Sequence, residues 1–111
     1  MAGKRFEVEL THGAEQDLEA IVDYVAESGS AEIADKLLHS FLAKVEALEQ
    51  FPLRGSIPKE LAGLGIRDYR QLLLKPYRLI YRIDSSRAFI TVIVDGRRDM
   101  QALLERRLLG H

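Results

Sequence analysis

Five arginines in the second half of the chain, Arg70, Arg78, Arg82, Arg97 and Arg98, are the side chains whose type and spacing point to chemistry. They fall within RDYRQLLLKPYRLIYRIDSSRAFITVIVDGRRD, a stretch whose apolar positions alternate as strands do. A guanidinium is permanently charged, and its planar fork matches the two oxygens of a phosphate or a carboxylate. Arginines alone can hold an anion or stabilise developing charge. Moving a proton at neutral pH needs a different group, such as a histidine or a carboxyl.

Such groups are scarce around them. His12, His39 and His111 lie far apart, and none stands at metal-ligand spacing from an acidic residue. His39 reads as a surface or core-edge residue of a helix, and His111, the last residue given, is expected to fray. The serines sit in no nucleophile motif, and no phosphate-binding glycine loop or dinucleotide fingerprint is present. Tyr69, Tyr77 and Tyr81 could stack on bases, but at strand spacing Tyr77 and Tyr81 read as core. No metal and no cofactor is expected.

Charge is divided unevenly along the chain. Residues 1–50 carry 4 Lys/Arg against 11 Asp/Glu, a net of −7, while residues 51–111 carry 12 against 6, a net of +6. The overall −1 therefore conceals a dipolar molecule whose basic half is the place to look for a partner. The length of 111 residues and 47% hydrophobic content fit one domain, residues 1–111, with a small core. The absence of cysteine excludes disulfides, thiol nucleophiles and thiolate metal sites. No apolar run approaches the roughly 20 residues of a membrane span, and MAGKRFEVEL lacks the apolar stretch of a signal peptide. A cytoplasmic protein with no membrane partner is expected.

The elements that must carry the arginines follow from periodicity. Phe6, Val8 and Leu10 alternate with glutamates, a short strand. Thr11 can cap a helix over 12–28 whose apolar stripe is Ala14, Leu18, Ile21, Val22 and Val25. Ser30 can cap a second helix reaching about Gln50, with Ala34, Leu37, Leu38, Phe41, Val45 and Leu48 inward and Pro52 enforcing a stop. Residues 52–66 form a loop with one helical turn at Lys59–Leu64. Strands at Asp68–Leu74, Tyr77–Ile83 and Arg87–Val94, joined by short connections, predict an antiparallel meander. A last helix, Asp99–Leu109, buries Met100, Leu103, Leu104 and Leu108, with Arg106 and Arg107 complementing the dipole of its last turn. The order β-α-α-β-β-β-α describes an α+β domain: a helical hairpin packed on a small, mainly antiparallel sheet, with a C-terminal helix and a core of two layers.

Alternation in the second meander strand puts Tyr77, Leu79, Tyr81 and Ile83 on one face, towards the helices, and Arg78, Ile80 and Arg82 on the other. That second face is expected to be partly open and basic, and Arg70 joins it if the register allows. The plainer alternative is a set of salt-bridged strand arginines: Arg82 has Asp84 and Asp68 in reach, and Arg97 has Asp95 and Asp99.

YRLIYRI, followed by an apolar strand, DGRRD and a terminal helix, resembles the toxins of the RelE/ParE superfamily of bacterial type II toxin–antitoxin modules. L-x-x-I-V-x-Y-V in the first helix and the PLRGS…P-x-EL loop fit the same pattern, so the resemblance spans nearly the whole chain. It implies the fold just derived and a cognate antitoxin whose flexible segment folds over the toxin. RelE-type members are ribosome-dependent mRNA endonucleases; ParE-type members are taken to poison DNA gyrase.

Carried over position by position, the resemblance sets Arg70, Arg78 and Arg98 at three basic places of the ribonuclease members. A fourth falls near the apolar Leu72. The Tyr or His that those members tend to need on or near the last helix falls at Leu103 or Leu104, neither of which can transfer a proton. The long paired helices and the E-x-F-P end of the second helix lean towards the ParE type, in which a His often precedes G-R-R-D where this chain has Asp95. The resemblance thus implies a gyrase-binding toxin rather than an enzyme, with Arg70, Arg78, Arg82, Arg97 and Arg98 as target-binding residues and an apolar strip including Leu103 and Leu108 for the antitoxin. The alternatives are a ribonuclease acting on mRNA at the ribosome through Arg70, Arg78 and Arg98, and a non-toxic binding or regulatory module on the same fold.

Overall fold

The computed structural model describes residues 6–110. Its elements are β1 (Glu7–Leu10), α1 (His12–Ser28), α2 (Ala31–Gln50), α3 (Lys59–Ala62), β2 (Tyr69–Leu74), β3 (Tyr77–Asp84), β4 (Arg87–Asp95) and α4 (Met100–Leu109). His111 lies outside the described residues. No helix among those described is long and apolar enough to cross a membrane.

Local chemistry sets the helix ends. The Thr11 hydroxyl accepts from the Ala14 N–H at 3.3 Å, and the Ser30 hydroxyl accepts from the Ile33 N–H at 3.1 Å, so each long helix begins on a side-chain cap. α1 gives way to α2 across Gly29 and Ser30, and α2 stops before Pro52, whose ring cannot continue it. At the other end of the chain, the Asp99 carboxylate caps α4 through the Ala102 N–H at 3.1 Å, and Gly110 takes the left-handed conformation that ends the helix.

The sheet has the order β1-β4-β3-β2. β2, β3 and β4 form the expected antiparallel meander, and β1 adds parallel to β4, pairing Glu7 with Arg87 through Leu10 with Ile90. The β3–β4 ladder slips at one point: Ile80 pairs with Val92 but Tyr81 with Ile90, which leaves Thr91 as an extra residue. A bulge of this kind reverses the alternation beyond it. Ile90 and Ile93 therefore both face the helical hairpin, while Val92 and Val94 face the opposite side.

Both faces are covered. On one, Phe41 and Leu48 of α2 pack with Leu72, Leu79, Tyr81, Ile90 and Ile93. On the other, Leu61 of α3 and Met100, Leu103 and Leu104 of α4 pack on Ile80, Val92 and Val94. The face expected to be open is closed, and the expected two layers become three: hairpin, sheet, and the α3–α4 pair. The cause is burial energy. Ile80, Val92, Leu61 and Leu104 are fully buried, and each such side chain contributes about 2 kcal/mol when withdrawn from water. α4 can reach them only by folding back across the sheet.

Candidate functional site

The strand register separates the arginines. Arg70 stands opposite Tyr81 and Arg78 opposite Leu73, so the two project from opposite faces of the β2–β3 ladder. Arg70 is turned to the loop after α2, donating to the carbonyls of Gly55 at 2.7 Å and Leu53 at 3.3 Å. The buried Tyr81 hydroxyl joins it there, donating to the Pro52 carbonyl at 2.7 Å and accepting the Gly55 N–H at 3.1 Å. Burial raises the Tyr81 phenol above its ordinary pKa. Together these two side chains latch the 52–55 loop to the sheet.

Arg78 is committed as well. Its Nη1 and Nη2 donate to both carboxylate oxygens of Glu60 at 2.8 and 2.9 Å, and its Nε donates to Gln71 Oε1 at 2.8 Å. The side chains of Arg78 and Glu60 are only 13% and 9% exposed. The hydrogen bonds from Arg78 hold the Glu60 carboxyl below its usual pKa, against the opposing effect of burial. Arg82 lies over the Phe89 ring, 5.9 Å from its centre, at the far end of β3. Arg97 pairs in the open with Asp95, its Nε 3.0 Å from Oδ1, and this contact draws the Asp95 carboxyl down to about 2 and raises the guanidinium. The Arg98 guanidinium is exposed and donates no hydrogen bond to another described residue.

Arg97 and Arg98 instead meet residues that no sequence pattern had grouped with them. A cleft of about 360 Å³ opens between α1, the end of β4 and α4, lined by Asp17, Ile21 and Tyr24, by Ile93, Asp95, Arg97 and Arg98, and by Leu103, Arg106 and Arg107. One ion pair organises its inner wall. The Asp17 carboxylate accepts from Arg107 at 3.0 and 2.9 Å and also from the backbone N–H of Ile93 at 3.0 Å. Arg107 reaches past it to the Thr91 carbonyl at 3.3 Å. Gly13 leaves room for this guanidinium, since a Cβ there would stand 2.9 Å from Arg107 Nη2. The sequence offered Arg107 only as a complement to its helix dipole and did not single out Asp17. Ninety residues separate them, and only the fold brings them together.

Among the described residues no three His, Cys, Asp or Glu side chains gather as a metal site would require. His39 makes only a local contact, its Nδ1 2.8 Å from the Asp35 carbonyl one turn back. The cleft brings cations, two carboxylates and the Tyr24 ring together.

Residues 8–100 match the family model of the ParE toxin of the type II toxin–antitoxin system parDE. The chain belongs to the ParE toxin family. Its fold is similar to that in the chromosomal ParDE toxin–antitoxin system from P. aeruginosa, with a TM-score of 0.68 at 24% identity over 82% of this chain and 96% of that one. It is also similar to that in the toxin–antitoxin complex RelBE2 from Mycobacterium tuberculosis, with a TM-score of 0.59 at 20% identity over 83% and 92%. No curated protein sequence matches it.

Within this ParE-family chain, the three leucines at which the resemblance expected a further basic or a proton-transfer group are core. Leu72 is 7% exposed, Leu103 4% and Leu104 0%. Leu103 thus lies beneath α4, not on an exposed strip, and only Leu108 of the two leucines assigned to an antitoxin surface is half-exposed.

Proposed function

We propose that this chain is the toxin of a type II toxin–antitoxin module, held inactive by a cognate antitoxin, and that it acts by binding DNA gyrase rather than by cutting RNA. The observation that carries the reading is the closed Arg78–Glu60 pair. The arginine that would steady a scissile phosphate is already saturated by a carboxylate and by Gln71. Cleaving RNA also needs a base for the 2′-hydroxyl and an acid for the leaving oxygen. The last helix offers buried leucines at the corresponding places. Of the cations lining the cleft, Arg98 and Arg106 are left open and suit docking to an anionic surface. That the two similar folds come from toxin–antitoxin systems supports the antitoxin partner.

The likeness to the RelBE2 complex keeps a ribosome-dependent ribonuclease as the second reading. One preparation tests both. Purified protein is added to a gyrase supercoiling reaction and to a ribosome-programmed mRNA cleavage reaction. Loss of supercoiling or accumulation of cleaved DNA, with the message intact, is the expected result. Cut message with unaffected gyrase overturns the proposal. Unimpeded growth on expression without the antitoxin, with neither reaction affected, indicates the non-toxic module.

A further inference from the structure

The loop that leaves α2 holds two large apolar side chains in water. Phe51 is 61% exposed and Leu53 65%, and with Gln50, Pro52 and Arg54 they line a shallow hollow at the end of the helix. This hollow shares no residue with the cleft beside α4. Apolar residues exposed singly are ordinary on a protein surface, but these two flank one proline in a segment that is held in place. Arg70 and the Tyr81 hydroxyl make four hydrogen bonds to the backbone of Pro52, Leu53 and Gly55. The Arg54 N–H donates to the Phe51 carbonyl at 3.2 Å and tightens the turn. Polar contacts therefore fix a loop whose apolar side chains stand outside. A phenyl ring and a leucine presented on a fixed backbone lose little freedom on association, which is the character of an interface anchor.

We propose that this surface is the contact between two copies of the chain, packed about a two-fold axis with Phe51 and Leu53 at its centre. Charge complementarity selects a second copy over other occupants. The exposed Glu46 stands one turn before Gln50 on the same face of α2, and the exposed Arg54 follows Leu53. Neither pairs with an opposite charge among the described residues. The patch thus carries one acid and one base beside its apolar centre. A partner of a single sign, such as a nucleic acid or an acidic peptide, would leave one of the two opposed. A two-fold axis satisfies both, because each contact occurs twice with the roles exchanged: Glu46 of each copy meets Arg54 of the other. An apolar centre with a polar rim is the ordinary anatomy of an interface, and its small size here makes the association weak and reversible. The contact leaves Arg98 and Arg106 free in both copies, so the dimer presents two basic surfaces at a fixed spacing.

The test is sedimentation velocity of the full chain from micromolar to millimolar concentration. The expected result is a rise from monomer to dimer mass across that range. The surface double variant Phe51→Ser/Leu53→Ser should raise the dissociation constant about tenfold or more, as loss of central anchors does. Its melting temperature at micromolar concentration should be unchanged, since both side chains already stand in water. Charge exchange tests the two-fold axis. Glu46→Arg and Arg54→Glu should each weaken self-association, because like charges then meet across the axis. An equimolar mixture of those two variants should associate as tightly as wild type, one copy being basic at both places and the other acidic at both. The proposal is overturned if the chain stays monomeric at millimolar concentration, if the dimer is insensitive to the serine variant, or if the mixture is no tighter than its components. A monomeric wild type whose serine variant loses gyrase inhibition or antitoxin capture assigns the patch to that partner and overturns it too. Because sedimentation reads neither gyrase nor growth, the dimer can fail while the toxin reading stands, and the reverse.

Discussion

Arg78 and Glu60 meet across 18 residues of sequence in a pair with two hydrogen bonds, 2.8 and 2.9 Å long, almost closed to solvent on both sides. The pair fastens the short α3 to the start of β3. Gln101 of α4 donates to the Glu60 carbonyl at 3.1 Å, so the same residue holds the third layer together. Breaking one half of a nearly buried pair strands the other charge. Glu60→Ala and Arg78→Ala should each lower stability by about 3 kcal/mol, and the double variant should lose much less than the sum. Urea unfolding of the four proteins measures this; additive losses would mean that the two side chains do not act as a unit.

The same pair predicts a pH dependence. The folded state holds Glu60 below its ordinary value, so its contribution is complete above the unfolded carboxyl range near 4.3. It is lost as pH falls from there through the lowered folded value. Between pH 5 and pH 3 the wild-type chain should therefore lose more stability than Glu60→Gln, and the two urea midpoints should approach each other. Parallel curves would remove Glu60 from the acid response.

Much of the architecture is legible in the sequence because it is local. Thr11, Ser30, Pro52 and Gly110 mark helix ends by their own chemistry, and the three meander strands lie within a residue or two of their expected bounds. Topology beyond nearest neighbours is not local. The parallel seat of β1 beside β4 joins residues about 80 apart, and nothing in EVEL announces its partner. The bulge at Thr91 hides better still, since it breaks the alternation that a strand reading assumes. For the site, the arginines were visible as residues but their commitments were not. Arg97 finds Asp95 two residues away, as spacing suggests, whereas Arg70, Arg78 and Arg107 are claimed by carbonyls and carboxylates 15 to 90 residues off.

Gly55 tests the loop latch. A Cβ there would lie 2.5 Å from the Gln71 carbonyl oxygen and 2.6 Å from the Tyr81 hydroxyl. The first contact is backbone and cannot swing away, so Gly55→Ala should force the loop off the sheet and cost about 2 kcal/mol or more. Tyr81→Phe removes the hydroxyl and leaves the Gly55 N–H and the Pro52 carbonyl short of a partner, at about 1–3 kcal/mol. Thermal melts check both. A Gly55→Ala protein as stable as wild type would show that the loop is not held as described.

Leu103 and Leu108 separate packing from docking. Leu103 is 4% exposed in the α4 core, and a carboxylate placed there would be buried without a partner. Leu103→Asp should unfold the chain or lower its stability by more than 3 kcal/mol. Leu108 only flanks that core, and Leu108→Asp should leave a folded protein with a modestly lower melting temperature. Circular dichroism melts distinguish them, and equal damage from both would place Leu108 in the core. Lost antitoxin capture by Leu103→Asp would therefore report on folding, and Leu108→Asp is the variant that reads the surface.

Arg98 and Arg70 make the matching pair for the target. Arg98 reaches solvent, whereas Arg70 is spent on the carbonyls of Leu53 and Gly55. If open guanidinium groups dock the chain on its target, Arg98→Ala should reduce gyrase inhibition several-fold with no change in melting temperature, as loss of one charge-assisted contact would. Arg70→Ala should lower the melting temperature first and inhibition only in proportion to the protein left folded. Running both variants at a temperature where Arg70→Ala is fully folded isolates the difference. Inhibition lost there by Arg70→Ala, and kept by Arg98→Ala, would move the docking surface to the hairpin side of the sheet.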